Sequence, residues 1–529
     1  MKILLIRPPS RHVEGSAKPS ASLPLGLLYI ASVLEKNGFS VEIYDAQINV
    51  HTPFSRDSSG SMHMGDTWEL VEEEIKRRNA DLVGITNPFT TQLENTVKVA
   101  DIAKKVKKDS LIIVGGNHPT VQPDIFFSKT EAVDIVCMGE GEYTMLDIAE
   151  ACRDNRSVRN IPGTAVKEDS QVRINQSRPY IQDLDNLPFP AYHLTDLEHY
   201  FYLNKIGYGG RPVWRYPGFE RAVSVITSRG CPFNCIFCSI HLHMGRKWRS
   251  HSSEYVLNHL EFLTSAYNVK HVHFEDDNLT LNTKRFKKIL EGLLKRKINI
   301  TWDTPNGIRA DTMTKELLED CKNSGCTYII FGVESGDQRV LSNIINKRLD
   351  LATVIKVAAW CKDVGIDTMA FFVISFPGET LNDMKRTVDF ALELLEKFDV
   401  SPAVFIATPL IGTSLYEICK EKGYIRKELS SDNLAVATCG GGEESLIKTE
   451  DIGPAEITIA MQRFIRGYKK IFVKNILRFI IENPGILGEF IKRSWSLRRE
   501  IGLKPAILEL AGFKNCFKRK LFLVNPRQK

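Results

Sequence analysis

The chain has 529 residues, enough for about two to four domains that each bury a core. Its composition, 43% hydrophobic and 25% charged, is that of a soluble globular protein, and the lack of any run of about 18 apolar residues excludes a transmembrane helix. Met1–Arg7 is too short an apolar run for a signal peptide and reads better as a strand. The 11 Cys are an odd number and mostly dispersed, which suits a reducing compartment, so a cytoplasmic protein is expected. The net charge of +6 is uneven. From Arg463 to Lys529 there are 17 Lys or Arg against 4 Asp or Glu, so the rest of the chain is acidic.

Strand and helix alternate from the start. Lys2–Arg7 is an apolar run that stops at Pro8-Pro9. Leu25–Asn37 has helical spacing and ends at Gly38, a good C-terminal cap. Strands follow at Val41–Tyr44, Asp81–Thr86, Leu111–Val114 and Asp134–Cys137, with helices at Trp68–Arg78 and Leu93–Lys107. This order predicts an open, parallel, doubly wound α/β sheet over residues 1–155. Ligands of such sheets sit beyond the carboxyl ends of the strands. Here those ends are Pro8-Pro9, Asp45, Thr86-Asn87, Gly115-Gly116-Asn117-His118-Pro119-Thr120 and Gly139-Glu140-Gly141-Glu142. Small residues there let a cofactor approach the backbone. No loop has the spacing of a phosphate loop or of a dinucleotide fingerprint. Residues 156–221 read as a linker. Within it Pro188 and Pro190 forbid a regular helix, and Tyr208–Pro217 is a loop able to approach a substrate.

At Val223–Thr227 a strand leads into Arg229-Gly-Cys231-Pro-Phe-Asn-Cys235-Ile-Phe-Cys238. Three thiolates spaced C-x3-C-x2-C on one loop can hold three irons of a four-iron cluster and leave the fourth open. A usual zinc site would want a fourth Cys or His at close spacing; buried hydrophobic thiols or part of a zinc site are the alternative, which the flanking chain disfavours. Further strands are expected at Val269–Phe274, Asn299–Trp302, Thr327–Phe331, Thr368–Ile374 and Ala403–Ile406. Helices alternate with them at Ser253–Tyr267, Arg285–Lys297, Lys315–Asn323, Ala352–Val364 and Leu381–Lys397. That makes about six strand–helix units over 222–410, fewer than the eight of a full barrel. Polar residues gather where each strand ends: Glu275-Asp276-Asp277, Arg309, Glu334-Ser335 and Phe376-Pro377-Gly378.

The cysteine spacing, with Gly230 and Pro232 around the first thiol, resembles the cluster loop of radical S-adenosylmethionine (SAM) enzymes. The upstream layout, from Leu23–Ala31 through Gly115–Thr120 to Gly139–Glu142, resembles the cobalamin-binding domain that precedes many radical SAM domains. The resemblance implies a Rossmann-like cobalamin domain followed by a partial (β/α)6 barrel. It implies a [4Fe-4S] cluster on Cys231, Cys235 and Cys238, with SAM chelating the open iron. Glu275, Asp276 and Asp277 then match the loop that accepts hydrogen bonds from the SAM ammonium. Arg309 would fork onto the SAM carboxylate, Glu334 and Ser335 would meet its ribose or methionine part, and Pro377-Gly378 would pack near adenine. Gly115, Gly116, His118, Gly139 and Glu140 would lie at cobalamin. No D-x-H-x-x-G motif is present, so no protein His on cobalt is expected. His118 either lies near the nucleotide tail or only braces its loop, and a domain that has lost its cofactor is the alternative to cobalamin binding.

Past Thr408-Pro409 the alternation fades. Asn433–Glu444 reads as a loop near the barrel mouth. Helices are expected at Ile457–Phe472, Lys474–Ile481, Phe490–Ile501 and Pro505–Leu510, so that 411–529 forms a mostly helical, basic segment. That segment fits either a helical cap on the barrel or peripheral contact with a membrane surface. The function implied is methylation of an unactivated carbon of a small-molecule or lipid-type substrate, with a 5′-deoxyadenosyl radical, methylcobalamin and an electron donor such as flavodoxin or ferredoxin. A non-methylating oxidation, cyclisation or rearrangement with the same cofactors is the alternative among enzymes. A cluster-bearing electron-transfer or binding protein is the alternative of another class. No base-stacking motif or RNA-binding module accompanies the basic tail, so nucleic acid is not an expected partner.

Overall fold

A computed structural model describes residues 1–13, 21–48, 55–56, 62–169, 171–206, 219–438 and 441–482. The first sheet contains β1 (Lys2–Arg7), β2 (Ser40–Asp45), β3 (Leu82–Thr86), β4 (Leu111–Gly115), β5 (Ile135–Cys137), β6 (Thr164–Glu168) and β7 (Gln171–Ile174), in spatial order β7-β6-β5-β4-β3-β1-β2. β1 pairs in parallel with β2 on one side and β3 on the other, so the chain direction of growth reverses there. Such a switch point opens a crevice at the strand ends. Ile3, Leu4, Leu5 and Ile6 are fully buried because helices cover both faces. Successive residues therefore feed two different cores, Leu4 and Ile6 on one face and Ile3 and Leu5 on the other.

The sheet runs beyond residue 155. β6 and β7 form an antiparallel hairpin within the stretch expected to be a linker, and β6 pairs with β5. Their residues bind each other locally, as where Arg173 donates to both oxygens of Glu168. The rest of the linker does avoid long helix around its prolines, with single 3-10 turns at Leu184–Asn186 and Tyr192–Leu194. A short helix, Leu197–Lys205, then starts at Asp196, whose side chain accepts from the His199 N–H.

The second sheet contains β8 (Ala222–Val225), β9 (His271–Phe274), β10 (Thr301–Ile308), β11 (Cys326–Glu334), β12 (Asp367–Ile374) and β13 (Ser401–Ile406). All six are parallel and lie side by side in sequence order. Helices pack outside, and their starts are set by side-chain caps. Ser252, Asn282, Thr314 and Asp350 each accept a backbone N–H, and Thr380 forms a reciprocal capping box with Asp383. β10 is twice as long as its apolar run implies. It carries on through Pro305-Asn306-Gly307 by shifting register against β11, which a bulge permits.

Beyond the barrel, Ser431–Ala437 is a helix where a loop is expected, capped by Ser430. One helix, Pro454–Glu482, replaces the two expected between Ile457 and Ile481. It packs on the barrel helix Leu381–Phe398. A Cβ at Gly467 would come within 2.3 Å of the Leu392 side chain, and Arg463 and Lys474 pair with Asp389 and Glu396. No helix among the described residues is long and apolar enough to cross a membrane. Tyr208–Pro217, Cys439-Gly440 and the helices expected at Phe490–Ile501 and Pro505–Leu510 fall outside the described residues.

Candidate active site

The cysteine loop follows a two-residue strand, Ser228–Arg229, that pairs with Arg249–Ser250. Gly230 turns the chain with φ +81°, and a Cβ there would lie 2.6 Å from the Lys247 carbonyl oxygen, so only glycine fits. Backbone bonds then pin the loop on several sides. The Cys231 N–H donates to Gly245 O, Ile236 N–H to Ile345 O, and Leu415 N–H to Ile236 O. Asn278 Nδ2 points at Cys231 Sγ, 3.9 Å away. Burial pushes the Cys238 thiol up to about 12 and raises Cys235 as well. Burial of this kind disfavours a free thiolate, and bound iron replaces the proton that a thiol would otherwise keep.

The acidic loop after β9 is the foundation of this arrangement. Asp276 accepts from the Thr227 N–H and Oγ1 and from Ser228 Oγ, and Asp277 accepts from the Gly230 N–H at 3.0 Å. Of the three acids expected at the SAM ammonium, Asp276 has its oxygens turned to Thr227 and Ser228 and braces the approach to Cys231. Glu275 is half-buried and accepts from Ser224 Oγ.

Across from the loop lies a cavity of about 830 Å3 at the β1/β3 switch point. Its walls include six glycines, Gly26, Gly84, Gly115, Gly116, Gly139 and Gly141. Gly116 has φ +126°, with a hypothetical Cβ only 2.5 Å from Asn87 O, and Gly139 has φ +75° with its N–H on Thr120 Oγ1. Cβ atoms at Gly26 and Gly139 would meet nothing within 4 Å, so both open directly onto the cavity. The far wall comes from the barrel side, through Ile226, Arg229 and Met244. A wide cradle bared of side chains fits a large, rigid macrocycle such as that of cobalamin.

Buried charges join the two sides. Arg229 NH1 meets Glu140 Oε1 at 3.0 Å, and its NH2 meets Glu142 Oε1 at 2.6 Å. Arg249 NH1 reaches the same Glu140 oxygen at 2.7 Å, while Glu140 Oε2 accepts from the Ile181 N–H. Glu140 therefore holds the junction while also lining the cavity, where it was expected to lie at the cofactor. Arg229, two residues before Cys231, thus belongs at once to the cavity wall and to the cluster loop.

Comparison with known proteins agrees with both halves. Residues 225–391 match the model of the Radical SAM superfamily, and residues 19–149 match the B12 binding domain. The chain is 33% identical over 418 residues to an uncharacterized methyltransferase of Pyrococcus horikoshii, covering 79% of this chain and 83% of that protein. This chain belongs to the cobalamin-dependent radical SAM enzymes. It is also 29% identical to cytidylyl-2-hydroxyethylphosphonate methyltransferase of Streptomyces wedmorensis, over 81% of this chain and 83% of the relative. Among solved structures it shares its fold with the radical SAM methyltransferase TsrM from Kitasatospora setae, at TM-score 0.61, 18% identity and coverage of 81% and 79%. It does so too with the cobalamin-dependent radical enzyme OxsB, at TM-score 0.65, 19% identity and coverage of 97% and 74%. Its cofactors are accordingly a [4Fe-4S] cluster, SAM and cobalamin.

Within this radical SAM enzyme the remaining expected residues divide into two groups. Some are occupied by the fold. Arg309 spends its Nε and NH2 on Asp311 and Arg348 O, and its guanidinium lies 4.0 Å over the Phe233 ring, so the fork expected for the SAM carboxylate is already filled. Ser335 is fully buried between Thr387 Oγ1 and the Asp337 N–H. His118 bonds to Thr90 Oγ1 and packs its edge on Phe126; burial lowers it to about 4, and it is not part of the cavity wall. These contacts brace its loop through Nδ1 and the ring, while Nε2 is buried with no hydrogen-bond partner among the described residues. Others remain at the barrel mouth. Glu334 ends β11 with φ +74° and pairs with Lys347 at 2.9 Å, whose charge opposes the rise at Cys235. Pro377 and Gly378 follow Phe376, which packs 5.8 Å from Phe237 of the cluster loop. Arg229, Glu142, Arg249, Asn278 and Lys347 were not anticipated. The only signal for Arg229 was its place directly before Gly230-Cys231, and its partners lie 87 and 89 residues away.

Proposed function

We propose that this enzyme methylates an unactivated carbon of a small-molecule or lipid-type substrate. One observation carries the reading: the glycine-lined cavity of the first domain and the three-cysteine loop share Arg229 as a common wall and anchor. When bound, the cluster with SAM supplies hydrogen-atom abstraction and cobalamin supplies the methyl group. The chain's own residues set the geometry. Cys231, Cys235 and Cys238 would hold the cluster, Asp276 and Asp277 fix the loop, and Asn278 donates toward Cys231 sulfur. Gly115, Gly116 and Gly139 would take the face of cobalamin against backbone. Glu275, Asp277, Glu334 and the Pro377-Gly378 turn are the groups of the barrel mouth nearest in role to SAM contacts. Apolar wall residues such as Ile226 and Met244 exclude water between the two cofactors.

The names of relatives support a carbon target, since they include a hopanoid C-3 methylase of Methylococcus capsulatus at 23% identity. Others are anaerobic magnesium-protoporphyrin IX monomethyl ester cyclases, one 26% identical, which keeps ring formation as the second reading. Anaerobically reconstituted enzyme with cobalamin, SAM, reductant and candidate substrates separates the two. Methylation yields S-adenosylhomocysteine beside 5′-deoxyadenosine and a product heavier by one CH2 unit. SAM cleavage that never yields S-adenosylhomocysteine overturns the methylation reading and favours cyclisation.

A further inference from the structure

The barrel lumen holds a cluster of side chains that the proposed reaction does not use. β9 and β10 run side by side in parallel, with His271 opposite Thr301 and His273 opposite Asp303. Strand alternation sends His271, His273 and Asp303 to one side, while Val272, Phe274 and Trp302 point outward into the core under the helices. Phe219 closes over the two imidazoles, with ring centroids 4.4 and 5.2 Å away. The three residues are 0%, 8% and 1% exposed, and one nitrogen or oxygen of each lies within 4.8 Å of the others.

The hydrogen bonds around them fix which atoms face inward. Thr301 Oγ1 donates its single proton to Lys270 O at 3.3 Å and lies 2.8 Å from His271 Nδ1. The hydroxyl is thus the outer neighbour of His271 Nδ1, and the opposite nitrogen faces into the cluster. His271 Nε2 lies 3.5 Å from Asp303 Oδ2. His273 Nδ1 approaches the other oxygen of the same carboxylate at 2.7 Å. Three buried donors from adjacent strands thus converge on one point, within 4.8 Å of one another. One divalent cation satisfies both rings and the carboxylate together. A ligating His whose second nitrogen is held by an outer group, as Thr301 holds His271, is the usual second layer of such a site.

We propose that His271 Nε2, His273 Nδ1 and the Asp303 carboxylate bind one divalent first-row transition cation inside the barrel. Two imidazoles and one carboxylate form a donor set of borderline softness, suited to zinc or ferrous iron rather than to calcium or magnesium. The cation cross-links β9 to β10. It stands directly below Glu275-Asp276-Asp277, so it stiffens the strand end on which the cluster loop is braced. Its competitor is a His271, neutral or protonated, whose Nε2–H donates to Asp303, which needs no metal.

Zinc is the probe, because the cluster already brings iron and cobalamin brings cobalt. Cluster- and cobalamin-loaded wild type, stripped with a mild chelator, is equilibrated with zinc sulfate and dialysed, and zinc, iron and sulfide are counted per chain. The expected result is about one retained zinc in wild type and almost none in Asp303→Asn, with iron and sulfide equal in both. Zinc should also raise the unfolding temperature of wild type and leave that of Asp303→Asn unmoved. His271→Gln serves in place of Asp303→Asn if the latter fails to fold. Equal zinc in wild type and variant overturns the proposal. So does stripped wild type that neither retains zinc nor changes its unfolding temperature on adding it, an outcome that needs no variant.

Discussion

The cavity of the first domain and the barrel mouth are shaped in opposite ways. The first-domain wall is made by leaving side chains out, with five glycines in or just after β3, β4 and β5 and Gly26 in the first turn of Leu25–Lys36. The barrel mouth is made by filling strand ends with charge and then pairing much of that charge within the fold. Asp276, Arg309 and Ser335 spend polar atoms on neighbouring backbone or side chains, and Asp277 spends one oxygen on the Gly230 N–H. A bare backbone recognises by shape and takes a large flat ligand. A paired charge recognises nothing further but cannot move, which is what a loop that must present three thiols at fixed separations requires. Disabling each wall in turn tests this contrast.

The largest effect is expected at the thiols. Cys231→Ala should abolish formation of 5′-deoxyadenosine from SAM while leaving the absorption of bound cobalamin near the wild-type level. Cleavage that survives would place the cluster elsewhere, and loss of cobalamin together with the cluster would show that the walls are not independent.

The junction comes next. Arg229→Met leaves Glu140 and Glu142 with one arginine, Arg249, between two buried carboxylates. Removing one partner of a buried pair costs about 3–5 kcal/mol, because the charge left behind is neither solvated nor matched. Burial by itself would lower the Arg229 guanidinium, but the two carboxylates outweigh it and hold its affinity for a proton above the usual arginine value. Denaturant unfolding should therefore lose that amount in Arg229→Met. Arg229→Lys, which keeps the charge and forfeits the two-pronged geometry, should lose less. Equal losses in the two would mean that packing, not charge, holds the junction.

Much of the barrel was legible in the sequence, and the reasons are local. Thr314 before Lys315–Asn323 and Thr380 before Leu381–Phe398 are caps that announce a helix within four residues. Ile329, Phe331 and Phe372 sit in short β-branched or aromatic runs that only a covered strand explains. What could not be read is set by pairings distant in the chain or by tolerated irregularity. Pro305 and Gly307 look like the end of β10 and are instead a bulge within it. Gln171-Val172-Arg173-Ile174 is an exposed edge strand with little apolar periodicity, so the hairpin merges with the linker. At the site, the cysteines and glycines were legible because their chemistry or backbone freedom is intrinsic to the residue. The acids could not be told apart in the sequence because an Asp that braces a loop and an Asp that binds an ammonium carry the same side chain. Only the partners of Asp276 tell them apart.

The glycine wall predicts a more graded effect. Gly26 stands in the first turn of Leu25–Lys36, at an ordinary φ and with open space before it. Gly26→Trp should therefore fold without backbone strain. Its indole would occupy the cavity, and retained cobalamin, read by absorption after gel filtration, should fall severalfold with little change in unfolding temperature. Gly116→Ala offers the contrast, since φ +126° and the nearby Asn87 oxygen make it costly whether or not cobalamin binds. A tryptophan at 26 that leaves cobalamin retention intact would move the cofactor out of this cavity.

The smallest effect concerns the one acid of the barrel mouth that breaks the pattern of paired charge. Glu379 is fully buried, and its Oε2 accepts from the Phe376 N–H at 2.7 Å, but no hydrogen-bond partner meets its Oε1 among the described residues. Burial raises its carboxyl from 4.5 to about 8; the Phe376 N–H works against the rise, and Asp383 and Asp337 add to it. The folded protein thus holds a proton here that the unfolded chain has already released above pH 4.5. Stability from this group is complete below that pH and is lost as pH climbs toward 8. Wild type should accordingly unfold a few degrees lower at pH 8.5 than at pH 6, other groups being equal. Glu379→Gln, which has the shape of the protonated acid and no charge to release, should flatten that slope and gain most at the alkaline end. A slope identical in the two proteins would mean that Glu379 is ionised throughout. It would then have a counter-charge in the loaded enzyme, and the barrel wall would be paired without exception.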